Sequence, residues 1–124
     1  MLESLYRNED IVGLAMQASA LRNSVISVNI ANVDTPMFKK SAVSFERSLQ
    51  RALEDGAGAG KVDLSKVKME VEKVYEVNQY RLDGNNVDME SEMVSLYKNS
   101  AKYDALASCI INMNKRINLV VSGR

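Results

Sequence analysis

Ile11-Val-Gly-Leu-Ala-Met-Gln-Ala-Ser-Ala-Leu-Arg-Asn-Ser-Val-Ile-Ser-Val-Asn29-Ile30 decides the fold. Along it Ile11, Leu14, Ala18, Leu21, Val25 and Val28 step by three and four, the seam spacing of a coiled coil. Near the other terminus Leu96, Tyr103, Leu106, Ile110, Met113, Ile117 and Val120 keep the same heptad relation. The stretch between lacks it. These patterns predict a mainly α chain: two long terminal helices forming a coiled-coil-like pair, with a short helix, β-strand and loop insert between them.

The first helix is expected from about residue 5 to residue 33, limited by Thr35-Pro36, because the residue before proline is pushed out of the α region. At the standard rise it is roughly 40 Å long. Leu5, Val12, Met16, Ala20, Ile26 and Ile30 fall nearly opposite its first stripe. A helix apolar on two sides needs cover on two sides, more than one partner helix in the same chain supplies. The last helix, expected from about 88 to 121 on the same periodicity, has a weaker second face of Val94, Tyr97, Ala101, Ile111 and Leu119. Asp88, Glu90 and Glu92 at its start and Lys115 and Arg116 near its end complement the helix dipole. The free chain is therefore expected to have frayed ends that order when copies pack together.

Within the insert, Phe45, Leu49 and Leu53 predict a short helix over 44–55, with Ser44 as its N-cap. Gly-Ala-Gly-Ala-Gly at 56–60 reads as a hinge. Alternation of Val67, Met69, Val71, Tyr75 and Val77 with charged residues predicts a half-buried strand over 67–77. Met37 to Val43 is a poor second strand by residue type. The division expected is a helical core of 1–35 and 85–124 and an irregular insert of 36–84.

Sixteen basic residues balance sixteen acidic ones, so nothing electrostatic favours nucleic acid. The chain has no histidine, which removes the commonest general base and metal ligand. Its single cysteine, Cys109, rules out an internal disulfide framework and reads as a small buried hydrophobe beside Ile110 and Ile111. No unbroken apolar run is long enough to span a membrane, and MLESLYRNED does not resemble a cleavable secretory signal.

Candidate chemical sites fail on detail. A phosphate loop ending at Lys61 needs glycine at Asp55 and Ser or Thr at Val62. A calcium loop starting at Asp83 needs glycine at Asp88 and glutamate at Val94. Asp83-Gly84 is better read as a turn, with Asn86 or Asp88 capping the last helix. Neither catalytic residues, cofactor nor metal is expected, nor a small-molecule substrate. The methionines Met16, Met89, Met93 and Met113 suit a core shared between subunits.

Asn29-Ile30-Ala31-Asn32-Val33-Asp34-Thr35-Pro36-Met37-Phe38 resembles the N-terminal signature of bacterial flagellar axial proteins, the rod, hook and hook-associated subunits. Asn29, Ala31, Asn32, Thr35, Pro36 and Phe38 match that signature, and Met37 stands where glycine is usual. Asp83, Gly84, Asn85, Asn86 and Val87, followed by Glu92 and Met93, resemble the start of the C-terminal helix in proximal rod subunits of that family. Other axial subunits carry Ala-Ser-Arg-x-Tyr-x-x-Asn further on, where this chain has Asn99-Ser100-Ala101-Lys102-Tyr103-Asp104-Ala105-Leu106.

The resemblance implies a structural subunit of the basal-body rod in the periplasm, exported unfolded by the flagellar type III apparatus without a cleaved signal. It implies as partners identical copies, other rod proteins and the adaptor joining rod to membrane ring. The assembly interface is expected on Ile11, Leu14, Leu21, Val25, Val28, Val12, Met16, Ile26, Ile30, Leu96, Tyr103, Leu106, Ile110, Met113, Ile117 and Val120. The competing reading is a soluble helical adaptor or export chaperone that covers another protein's helix.

Overall fold

The structure, a computed structural model, describes residues 2–59, 62–75 and 81–123. Helix α1 spans Leu2–Ala31 and helix α3 spans Met89–Ser122. Between them lie strand β1 (Ser41–Ser44), helix α2 (Glu46–Ala59), a 3-10 turn (Leu64–Lys66) and strand β2 (Glu70–Lys73). Asp88 starts α3 in extended conformation, its carboxylate accepting from the amides of Glu90 and Ser91. Such a cap contributes about 1 kcal/mol. Gly123 ends the helix at φ 63°, a left-handed position that suits glycine.

The two long helices pack antiparallel. Asn29 meets Glu92, Ser19 and Asn23 meet Asn99, and Leu14 shares a cleft with Ile110. The packed face of α3 runs Glu92, Leu96, Asn99, Tyr103, Leu106, Ile110, Met113, Ile117, alternating steps of four and three. Every one of these residues is buried or half-buried. Val120, expected on the seam, is 69% exposed.

On α1 the seam differs from the expected stripe. Ala18, Ser19, Ile26 and Asn29 are buried, whereas Val28 is 51% exposed. The expected stripe counted apolar residues alone. The actual face includes Arg22 and Asn29, which turns Ile26 inward and Val28 out. Ile11, Leu14, Leu21 and Val25 are half-buried, and so are Val12, Met16 and Ile30 from the opposite stripe.

The insert corrects four expectations. The strand is shorter than 67–77, and Glu76 and Val77 lie outside the described residues. It pairs within the chain, antiparallel to β1, with Ser41 opposite Lys73 and Ser44 opposite Glu70. The hinge at 56–60 is helical as far as Ala59, because Gly56 lets the last turns close on Val62. A Cβ there would lie 2.6 Å from the Val62 Cα. Ser44 ends β1 and does not cap α2; the Phe45 carbonyl accepts the first helical bond, from the Leu49 amide. Val43, Phe45, Ala52 and Val87 are buried.

Two further expectations change. Cys109 is exposed, because one residue of helix turns it about 100° away from Ile110 on the seam. Arg7–Ala31 is long and apolar enough on average to cross a membrane, although its apolar run is broken. In this fold several of its polar groups are taken up: Asn23 and Asn29 bond to α3 residues, and Arg22 holds Glu46 with both contacts at 2.9 Å. Lys102 reaches the same carboxylate at 3.4 Å, so Glu46 ties α2 to both long helices. Burial pushes the Glu46 carboxyl up, but its own backbone amide and Arg22 outweigh this and lower it overall. The tie is therefore complete above the usual glutamate range and is lost as pH falls through the lowered value.

Candidate assembly site

Asparagines build the junction between α1, the insert and α3. Asn29 is 1% exposed and treats Ser41 as a strand partner. Its Nδ2 donates to the Ser41 carbonyl and its Oδ1 accepts the Ser41 amide, both at 2.9 Å. The same Nδ2 donates to Glu92 Oε2 at 3.0 Å. One side chain thus anchors β1 to α1 and α1 to α3. Asn32 closes the helix end: its Nδ2 donates to the Val28 carbonyl and its Oδ1 accepts from Thr35 Oγ1.

Asn85, also 1% exposed, shares its amide protons among the carbonyls of Asn32, Val33 and Thr35 at 2.8–3.0 Å. Its Oδ1 accepts from the Val87 amide at 2.7 Å. Asn86 joins the two sides of the insert, accepting from the Lys40 amide and donating to the Val74 carbonyl. Arg81 adds a bond to the Val33 carbonyl and an ion pair with Asp83 at 2.8 Å. The Asn85 amide, with help from Arg81, holds the Asp83 carboxyl below the usual aspartate range.

Thr35-Pro36-Met37-Phe38 is a turn closed by the Phe38 amide on the Thr35 carbonyl. A type II turn requires a positive φ at its third position and favours proline at its second. Met37 occupies that third position at φ 60°. This explains why the related signature has glycine there, and this chain makes the turn with methionine. The Met37 thioether lies over Gly84, itself at φ 73°, where a Cβ would come within 2.6 Å of the sulfur. Met37 is 71% exposed, so replacing it forfeits little burial. Met37→Gly is expected to stabilise the fold by about 0.5–1 kcal/mol by removing left-handed strain, read by urea unfolding. A lower unfolding midpoint would mean that the thioether's cover of Gly84 outweighs the backbone term.

The structure therefore gathers Asn29, Asn32, Thr35, Phe38, Asp83, Gly84, Asn85, Asn86, Val87 and Glu92 into one cluster. Ala31 and Pro36 are exposed beside it, and Met93 is half-buried on α3. The residues expected at the assembly interface divide. Those on the α3 seam face α1 within the chain, as the half-burial of Leu96, Tyr103, Leu106, Ile110, Met113 and Ile117 shows. An uncovered apolar surface lies on the opposite side of α3, where Val94, Tyr97, Ile111 and Leu119 are each at least half exposed. Apolar patches of that kind mark interaction sites. Ser19, Asn23, Arg81 and Asn99 escaped the sequence reading. Asn99 could have been found, because it sits seven residues from Glu92 and fills the gap between Leu96 and Tyr103.

No protein-family model matches the chain. It is 33% identical over 132 residues to the flagellar basal body rod protein FlgB of Borreliella burgdorferi, covering 93% of this chain and 96% of that protein. A terminal-helix hairpin closed by this asparagine junction, together with that likeness, defines a bacterial flagellar basal-body rod protein, a structural class and not an enzyme family. FlgB of Bacillus subtilis is 33% identical over 110 residues (84% of this chain, 82% of that protein), and FlgB of Proteus mirabilis HI4320 is 30% identical over 98% of both. The chain belongs to the FlgB family of flagellar basal-body rod proteins.

Proposed function

We propose that this chain is a subunit of the proximal rod, polymerising by helix packing into the drive-shaft tube after type III export. The outer face of α3 carries the reading: Tyr97 is 68% and Leu119 59% exposed on a helix whose opposite side is already packed. Neighbouring subunits cover that face. Residues 1–35 and 85–124 form the inner helical domain, and 36–84 lie outward or bridge to neighbours. Identical copies, other rod proteins and the adaptor to the membrane ring are its partners in the periplasmic region of the basal body, reached without a cleaved signal through the export apparatus. Val12, Met16, Ile30 and Val120 belong to the surfaces that neighbours complete.

The test uses one thiol as a reporter of cover. In a Cys109→Ser background, Ala101→Cys places a cysteine in the middle of the outer face. It is expected to react rapidly with maleimide in the free chain and at least tenfold more slowly in isolated basal bodies. Equal rates in both states refute the proposal.

A further inference from the structure

Glu92 and Asn99 on the seam of α3, and Asn85 in the extended segment before that helix, are buried polar side chains. Glu92 and Asn99 stand seven residues apart, one heptad of α3. Asn85 bonds the carbonyls of Asn32, Val33 and Thr35 just past the end of α1, Glu92 the side-chain amide of Asn29, and Asn99 the Ser19 carbonyl and Asn23 Oδ1. Beyond Asn99 the seam is apolar to Ile117.

The Asn99 level is not arranged for stability. Ser19 Oγ and Asn99 Oδ1 are both buried without a partner, and such atoms are costly in a core. A leucine at 99 would continue the apolar seam and remove the unpartnered Asn99 oxygen. A buried polar residue that weakens a coiled coil while fixing its alignment is a known device.

We infer that Glu92 and Asn99, with Asn85 before the helix, form a register clamp, which holds the seam of α3 on α1 in one alignment and excludes slid pairings. Taking Asn29 opposite Glu92 as reference, residue 99 faces residue 22. A slide of one heptad, about 10 Å, sets Asn99 against Ala15, away from the Asn23 oxygen, and takes Glu92 away from the Asn29 amide. The opposite slide carries Glu92 past the end of α1.

Leu14 and Ile110, which line one cleft, provide the test. In the full chain with Cys109→Ser, Leu14→Cys is combined in turn with Tyr103→Cys, Ile110→Cys or Ile117→Cys and oxidised. The unaltered seam is expected to give a cross-linked monomer with the Ile110→Cys pair alone. With Glu92→Leu/Asn99→Leu added, the 103 or 117 pair is expected to rise at least tenfold while the melting temperature increases. A double variant that still cross-links only at 110 overturns the clamp, as do slid products from the unaltered seam. Should the double variant lose its helical circular dichroism, Asn99→Ala is read in the same way. Loss of fold in that variant too would make the level a source of stability and overturn the inference.

Discussion

Asn85→Ala is expected to destabilise the free chain by about 3 kcal/mol, seen as a lowered midpoint in urea unfolding. The substitution removes a donor shared by three carbonyls and strips the buried Val87 amide of its acceptor. The carbonyls keep other partners, so the orphaned amide and the emptied site carry most of the loss. Asn85→Asp separates this account from one based on size. It retains an oxygen for the Val87 amide but points a carboxylate at three carbonyl oxygens, so it is expected to lose at least as much as alanine. An aspartate variant as stable as the natural chain would show that the amide protons contribute nothing.

Tyr97→Asp is expected to abolish motility and to remove the chain from purified basal bodies, while its unfolding midpoint shifts by less than about 0.5 kcal/mol. Tyr97 is largely exposed, so the free fold tolerates the change. Under a neighbouring helix the same position is desolvated. There the loss of an aromatic anchor costs about 2 kcal/mol or more, and an unpaired buried carboxylate adds several more. Ser65→Asp, an equally exposed change on the insert, is the control and is expected to swim normally. Normal swimming by Tyr97→Asp would remove the outer face of α3 from the assembly.

Much of the architecture could be read from residue spacing because it rests on period and punctuation. Apolar steps of three and four gave both long helices, Pro36 limited one, and Asp88 started the other. What escaped was pairing made by side chains in place of backbone. Ser41-Ala42-Val43-Ser44 has weak strand character, but the Asn29 side chain bonds Ser41 as a neighbouring strand does. The Asn86 amide lies across the open side of the sheet and holds Lys40 to Val74. Spacing of apolar residues alone also passed over the polar members of the seam, so Glu92 and Asn99 were missing from it and Val28 was placed inward. At the glycine-rich stretch a flexible composition concealed a packing role, since only Gly56 admits Val62 against the helix.

The same division is visible in the candidate site. The asparagine motif was recognisable because its members keep fixed positions in the sequence, yet their work together depends on α3 folding back over a separation of about fifty residues, as the bonds from Asn85 to the α1 end show. The seam residues were recognisable as apolar but not as inward or outward, because both sides of α3 repeat at similar spacing. Only the antiparallel packing on α1 determines which side remains open.

Amide hydrogen exchange, compared between the dilute chain and isolated basal bodies, tests most directly whether neighbours finish this structure. In the dilute chain the amides of α3 around Glu92 to Tyr103 are expected to exchange slowly, held by the junction at the start of the helix, while those from Leu106 to Ser122 exchange fast. In basal bodies the whole helix is expected to be protected. A dilute chain that already protects Leu106 to Ser122 as strongly as the assembled one would contradict the account.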